Sequence, residues 1–228
     1  MSHFQTMTLF KSTFFSVFLF LGIFVFSQEK KKFANVEGVL SNILPDHQTA
    51  DFWVLVHNSY GRNKEIKTSG TKKDYTPQFS GFSLRPGEDS FFYIVSGKGD
   101  KINYISDIKN LKGFIGKIDN VEEAALSAVL EGYMIDEQFV DVAANHYEDK
   151  NNYYLDLGKI TSTECPYQKT HYTLTVSKAT GKISNVEDHG SYMEVYTKNC
   201  KNNPRLLKLE KKEEPKDEPS KQPTKKRR

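Results

Sequence analysis

Asn120-Val121-Glu122-Glu123-Ala124-Ala125-Leu126-Ser127-Ala128-Val129-Leu130-Glu131-Gly132 is the clearest helix in the chain. Asn120 is a good N-cap, and Glu123 three residues on completes a capping box. Glu122 and Glu123 suit the positive end of the helix dipole. Gly132 suits the C-terminus. Val121, Ala125, Ala128, Val129 and Tyr133 share one broad apolar face, so this helix packs on a sheet and carries no catalytic group. Downstream, Tyr153, Leu155 and Leu157 alternate with polar neighbours, as do Tyr172, Leu174 and Val176 in His171-Tyr172-Thr173-Leu174-Thr175-Val176. That period of two marks half-buried strands with one wet face. Ala179-Thr180-Gly181-Lys182 is a turn, Ile183 to Val186 returns, and Tyr192-Met193-Glu194-Val195-Tyr196 is a last short strand.

Working upstream, Phe91 to Ser96 and Lys101 to Ser106 flank Gly97-Lys98-Gly99-Asp100 and read as a hairpin. The Gly-x-Gly is no phosphate loop, since the third glycine and the Lys-Ser/Thr ending are missing. Phe52 to His57 is apolar on both faces and reads as a buried strand. Residues 58–78 are polar, with Gly61, Gly70 and Pro77, and read as a long loop, followed by a short strand from Phe79 to Leu84. Residues 33–50 read as a short helix or an irregular lead-in. The expected class is α+β: an antiparallel sheet with one main helix, about 120–132, packed on it.

Residues 120–186, through Asn-Val-Glu-Glu-Ala-Ala, Tyr-Tyr-Leu-Asp-Leu and Tyr-Thr-Leu-Thr-Val-Ser-Lys-Ala-Thr-Gly-Lys-Ile, resemble the PepSY-type domain of exported bacterial proteins. The resemblance covers under a third of the chain. Cys165-Pro166-Tyr167 between the strands departs from the pattern. It implies a helix laid on a small antiparallel sheet, export, and restraint of peptidases, and it brings no catalytic residues.

The termini read differently from the body. Residues 13–26 are apolar and uncharged, preceded by Lys11 and followed by Ser27 and Gln28. That length suits a signal-peptide core and falls short of a spanning helix, so residues 1–27 are expected to be a signal peptide. An uncleaved anchor is the alternative. The net charge is +3, from 32 basic and 29 acidic residues. The segment 208–228 accounts for the positive excess and reads as a disordered tail. The remaining body, 28–207, is read as one domain with a strand-rich part (33–110) and a helix-plus-strand part (118–200). It is near neutral and has no basic face for nucleic acid. Cys165 and Cys200 are the only cysteines. In an exported chain they read as a disulfide worth roughly 4 kcal/mol on the chain-entropy model.

No catalytic or metal-ligating set stands out. His189 lies beside Asp188 and near Glu187 and Glu194, and His146 lies near Glu148 and Asp149. Both groups read as solvated charge, lacking His-x-x-x-His spacing. His171 reads as plain strand surface, and His57 as a partly buried, hydrogen-bonded residue. Cys165 with His171 is a Cys–His pair that the disulfide would forbid. Ser80-Gly81-Phe82-Ser83 is not a nucleophile elbow. Tyr154, Tyr167, Tyr192 and Tyr196 are the candidate binding surface, since half-exposed tyrosines bury area and keep a polar handle. The expectation is an exported, non-enzymatic domain without cofactor or metal, binding a protein, peptide or envelope polymer. It meets a membrane only through an uncleaved first segment. The alternatives are an exported hydrolase with a scattered Ser/His/Asp site and a membrane-anchored structural protein.

Overall fold

Trp53 and Leu55 point to one side of their strand, while Phe52, Val54 and Val56 point to the other, and all five are buried. That strand lies in a computed structural model that describes residues 29–45, 50–84, 89–201 and 203–204. The expectations for residues 1–27 and 208–228 lie outside the described residues. In chain order come β1 (Lys31–Lys32), α1 (Val36–Ser41), β2 (Phe52–Ser59), β3 (Arg62–Gly70), β4 (Ser90–Lys98) and β5 (Lys101–Ile105). Then follow α2 (Ile108–Ile115), α3 (Val121–Val129), α4 (Val140–Ala143), β6 (Ala144–Glu148), β7 (Asn152–Ser162), β8 (Tyr167–Ser177) and β9 (Ile183–Val195).

The strands form two antiparallel sheets, ordered β3-β2-β4-β5 and β1-β6-β7-β8-β9. The expected mix of helix and antiparallel sheet is present. The expected count is corrected, because the described residues hold two sheets and four helices. Helix α1 packs on β2 and β3, α3 packs on β7, and α1 and α3 pack on each other. Trp53, Leu55, Phe92 and Ile94 of one sheet therefore join Leu155, Leu157, Leu174 and Val176 of the other in one apolar core with the helices. The opposite side of β2 and β4 fills a second, smaller core, with Tyr75 and Tyr104 packed against it.

Residues 58–78 are not the long loop their polarity suggests. Tyr60 and Gly61, both at positive φ (50° and 75°), make a tight turn, and β3 returns along β2. β3 is a charged edge strand with only Ile66 on the core, so it lacks the alternation that betrays buried strands. The expected strand from Phe79 to Leu84 shrinks to one bridge between Phe82 and Phe92. The short Leu111/Phe114/Ile115 face of α2 and the five-residue β6 also escaped the pattern. The two expected strands after the Thr180-Gly181 turn are one, β9, which forms the sheet's edge. Its ladder with β8 is broken by three irregularities, one of them an extra residue at His189-Gly190, where Gly190 has φ 84°.

Helix α3 begins at its expected cap: Asn120 Oδ1 accepts from the Glu123 amide at 2.8 Å. The Glu123 carboxylate does more than close a capping box. It is fully buried and accepts from the Asp119 amide and from the Leu44 amide beyond α1, each at 2.7 Å. Burial pushes its carboxyl up, against the pull of those amides. Cys165 and Cys200 form the expected disulfide, with Cα atoms 5.5 Å apart and a sequence separation of 35. It ties the β7–β8 loop to the turn after β9. Among the described residues no helix is long and apolar enough to cross a membrane.

Two stability predictions follow from these buried groups. Glu123→Ala abandons two amides, each costing about 1–3 kcal/mol, whereas Glu131→Ala on the exposed side changes little; urea denaturation of both variants separates them. His146 sits in β6 against Phe33, with ring centroids 4.6 Å apart, and not in an exposed loop cluster. Burial depresses its pKa. The unfolded chain therefore takes up a proton first as pH falls, and stability declines from neutrality into mild acid. His146→Phe should flatten that part of the pH–stability curve, and an unchanged slope would assign it to other groups.

Candidate functional site

On β7 and β8 the side chains that do not enter the core form an outer face. Tyr154 and Asp156 alternate with Tyr153, Leu155 and Leu157, and His171, Thr173 and Thr175 alternate with Leu174 and Val176. At the centre of this face lies Asp156, only 1 % exposed although it points away from the apolar core. Its Oδ1 accepts from Thr173 Oγ1 at 2.6 Å and lies 3.2 Å from His171 Nε2. Its Oδ2 meets Lys30 Nζ at 2.5 Å. Burial alone would raise this carboxyl; the Lys30 ammonium and the Thr173 and His171 contacts outweigh it and hold the group below the usual carboxylate range. His189 crosses from β9, stacking on His171 with centroids 4.5 Å apart and placing Nε2 2.8 Å from Thr173 Oγ1.

Chemically, the Thr173 proton is committed to Asp156. The contact to His189 is then one in which the imidazole donates, so this hydroxyl is not a nucleophile activated by a histidine base. Cys165 is consumed by the disulfide, which removes the Cys–His pair with His171.

At one end of the face Tyr147 and Tyr154 stack, with centroids 4.5 Å apart and planes 6° from parallel, and Tyr154 donates to Asp149 Oδ2 at 2.9 Å. At the other end Asp136 is clamped by Lys169 Nζ and by the Tyr192 hydroxyl, each 2.7 Å from its Oδ2. Burial opposes ionisation of Asp136, but these two donors together hold its carboxyl low. Burial first, and then the Asp136 charge, push the Tyr192 hydroxyl far above its ordinary range, so it stays a neutral donor. Gly158 makes room for this clamp: a Cβ there would strike the Tyr192 hydroxyl and come within 3.3 Å of Met134 Cγ.

A second concave feature lies where the ends of α2 and α3 meet the β8–β9 turn. This cleft of about 720 Å³ has Ile118, Leu130 and Ile183 in its lining. Lys112, Lys117, Lys178 and Lys182 also line it, against the single carboxylate of Glu131. Lys178 is held by Glu148 at 2.6 Å and Lys117 by Asp119 at 2.8 Å. Among the described residues Lys112 and Lys182 have no carboxylate partner.

The structure redistributes the residues singled out from sequence. The four tyrosines do not form one surface. Tyr154 lies opposite Thr175, whereas Tyr167 begins β8, roughly 26 Å away at ~3.3 Å per residue. Tyr192 spends its hydroxyl internally, and the Tyr196 hydroxyl donates to Glu194 at 2.9 Å. His57 matches its reading, 2.8 Å from Glu37 Oε1 and stacked on Phe92. His171 is not plain surface. His189 keeps company with Asp156, far away in sequence, and not with its own neighbours Glu187 and Glu194. Asp156, Lys30, Asp136 and Lys169 were missed. The sole signal for Asp156 was its place on the same wet parity as His171 and Thr173. No protein-family model, no curated protein and no solved structure matches this chain.

The Asp136–Lys169 clamp makes a sharp prediction. Asp136→Ala strands the Lys169 ammonium in a site where its side chain is 10 % exposed, costing about 3–5 kcal/mol. Asp136→Leu combined with Lys169→Met should recover most of that loss in thermal melts. A single variant as stable as the parent would show that Lys169 reaches water.

Proposed function

We propose that this chain is an exported, non-enzymatic binding domain whose cleft takes an acidic, partly apolar peptide segment of another protein. The observation that carries the reading is the cleft itself: an apolar lining bordered by four lysines and one glutamate, with Lys112 and Lys182 left without a carboxylate among the described residues. Its volume lies within the range of pockets that hold small ligands. Lysines facing an apolar floor favour a ligand that offers carboxylates and buries a side chain at once. The apolar segment 13–26 and the disulfide support export. The PepSY-type resemblance of 120–186 fits the same role, with restraint of a peptidase as one form that binding would take. A hydrolase built on Ser, His and Asp draws less support, because the hydroxyl beside Asp156 and His189 belongs to Thr173 and gives its proton to the carboxylate.

The test is fluorescence anisotropy with a labelled peptide alternating Glu and Leu, beside its Lys/Leu counterpart. Lys112→Glu with Lys182→Glu should weaken the acidic peptide at least tenfold, and added salt should weaken the parent complex. Equal affinity for the acidic and basic peptides, or an unaffected double variant, would overturn the reading.

A further inference from the structure

The Asp156–His171–His189 group lies on a different face from the cleft and stands independently of it. One carboxylate oxygen of Asp156 and one nitrogen from each imidazole all lie within 4.8 Å of one another. These side chains come from three adjacent strands, β7, β8 and β9. Two positions are fixed by the sheet. Asp156 is buried, and Oδ1 already stands 3.2 Å from His171 Nε2, close to the roughly 3.3 Å between ligand atoms of a tetrahedral zinc. The third ligand is adjustable: His189 is exposed and sits at the His189-Gly190 bulge of an edge strand.

A buried carboxylate must be met by hydrogen bonds or by a paired cation, and Asp156 has both. Here that cation is Lys30, which is about half exposed (54 %) and arrives from the segment just before β1. The exposed, flexible lysine can swing into water, whereas Asp156 cannot. Thr173, donating to the same carboxylate, would remain as the group that orients it.

We propose that Asp156, His171 and His189 form a site for a divalent transition metal, zinc in particular, and that Lys30, paired with the other carboxylate oxygen, balances the Asp156 charge when the metal is absent. Two imidazoles and one carboxylate are a zinc ligand set, leaving a fourth position for water or a partner's group. Each imidazole binds through a nitrogen lone pair, its ring proton resting on the other nitrogen. The departing Lys30 ammonium carries its charge into solvent, so zinc supplies the countercharge that Asp156 loses.

Isothermal titration of the tag-free chain with zinc chloride tests this, with cobalt(II) absorption as a second readout of coordination. The expected result is one zinc per chain, weakened at least tenfold by His171→Ala and by His189→Ala. Lys30→Met should bind zinc at least threefold more tightly than the parent. Because His189 is exposed, its variant keeps the fold, which circular dichroism would verify. No stoichiometric binding, or binding unchanged by the two histidine variants, overturns the site. Weaker or equal binding by Lys30→Met overturns the charge-balancing role of that lysine.

Discussion

Leu155, Leu157, Leu174 and Val176 from one sheet, and Trp53, Leu55, Phe92 and Ile94 from the other, are buried in the same core as α1, α2 and α3. Each such side chain gains about 1.5–3 kcal/mol by leaving water, so the register of these strands is strongly held. A strand committed in this way has no freedom over its alternate residues, which must face the other side. In the four-stranded sheet that side carries Phe52, Val54, Val56, Tyr93 and Val95 and fills a second core. In the five-stranded sheet it carries Asp156, His171, Thr173 and Thr175, and becomes the polar face. The chemistry on that face is a by-product of where the leucines must go.

The sequence was legible where periodicity was strong. Helix α3 and its Asn120 cap, the doubly buried β2, the β4–β5 hairpin and the alternating β7 and β8 all follow from apolar spacing. It was illegible where elements are short or wet. β3 offers one apolar residue to the core, and β6 is five residues long with His146 on its inner side. The polar cluster was hidden for another reason: Asp156 and His189 are 33 positions apart, and only the β7–β8–β9 pairing makes them neighbours. Local sequence instead offered His189 the nearby Glu187 and Glu194. The disulfide was readable because the chain has only two cysteines, which leave one pairing.

Charge is handled in two ways. The buried carboxylates Glu123, Asp136 and Asp156 are each met by specific donors: backbone amides for the first, a lysine and a tyrosine for the second, and a lysine, a threonine and a histidine for the third. For the two ion-paired groups, Asp136 and Asp156, desolvation consumes much of the attraction. The cleft lysines Lys112 and Lys182 face solvent without a carboxylate among the described residues, and this is where charge remains available to something outside the chain.

The kinks of β9 have a further effect. An outermost strand of thirteen residues would offer a neighbouring copy a long, straight row of unpaired amides and carbonyls. The irregularities opposite Thr170 and Thr175, together with Glu187, Asp188 and Glu194, break that row into short, acidic pieces. The feature that sets His189 against His171 thus also interrupts the edge that a strand of another chain would need for continuous pairing.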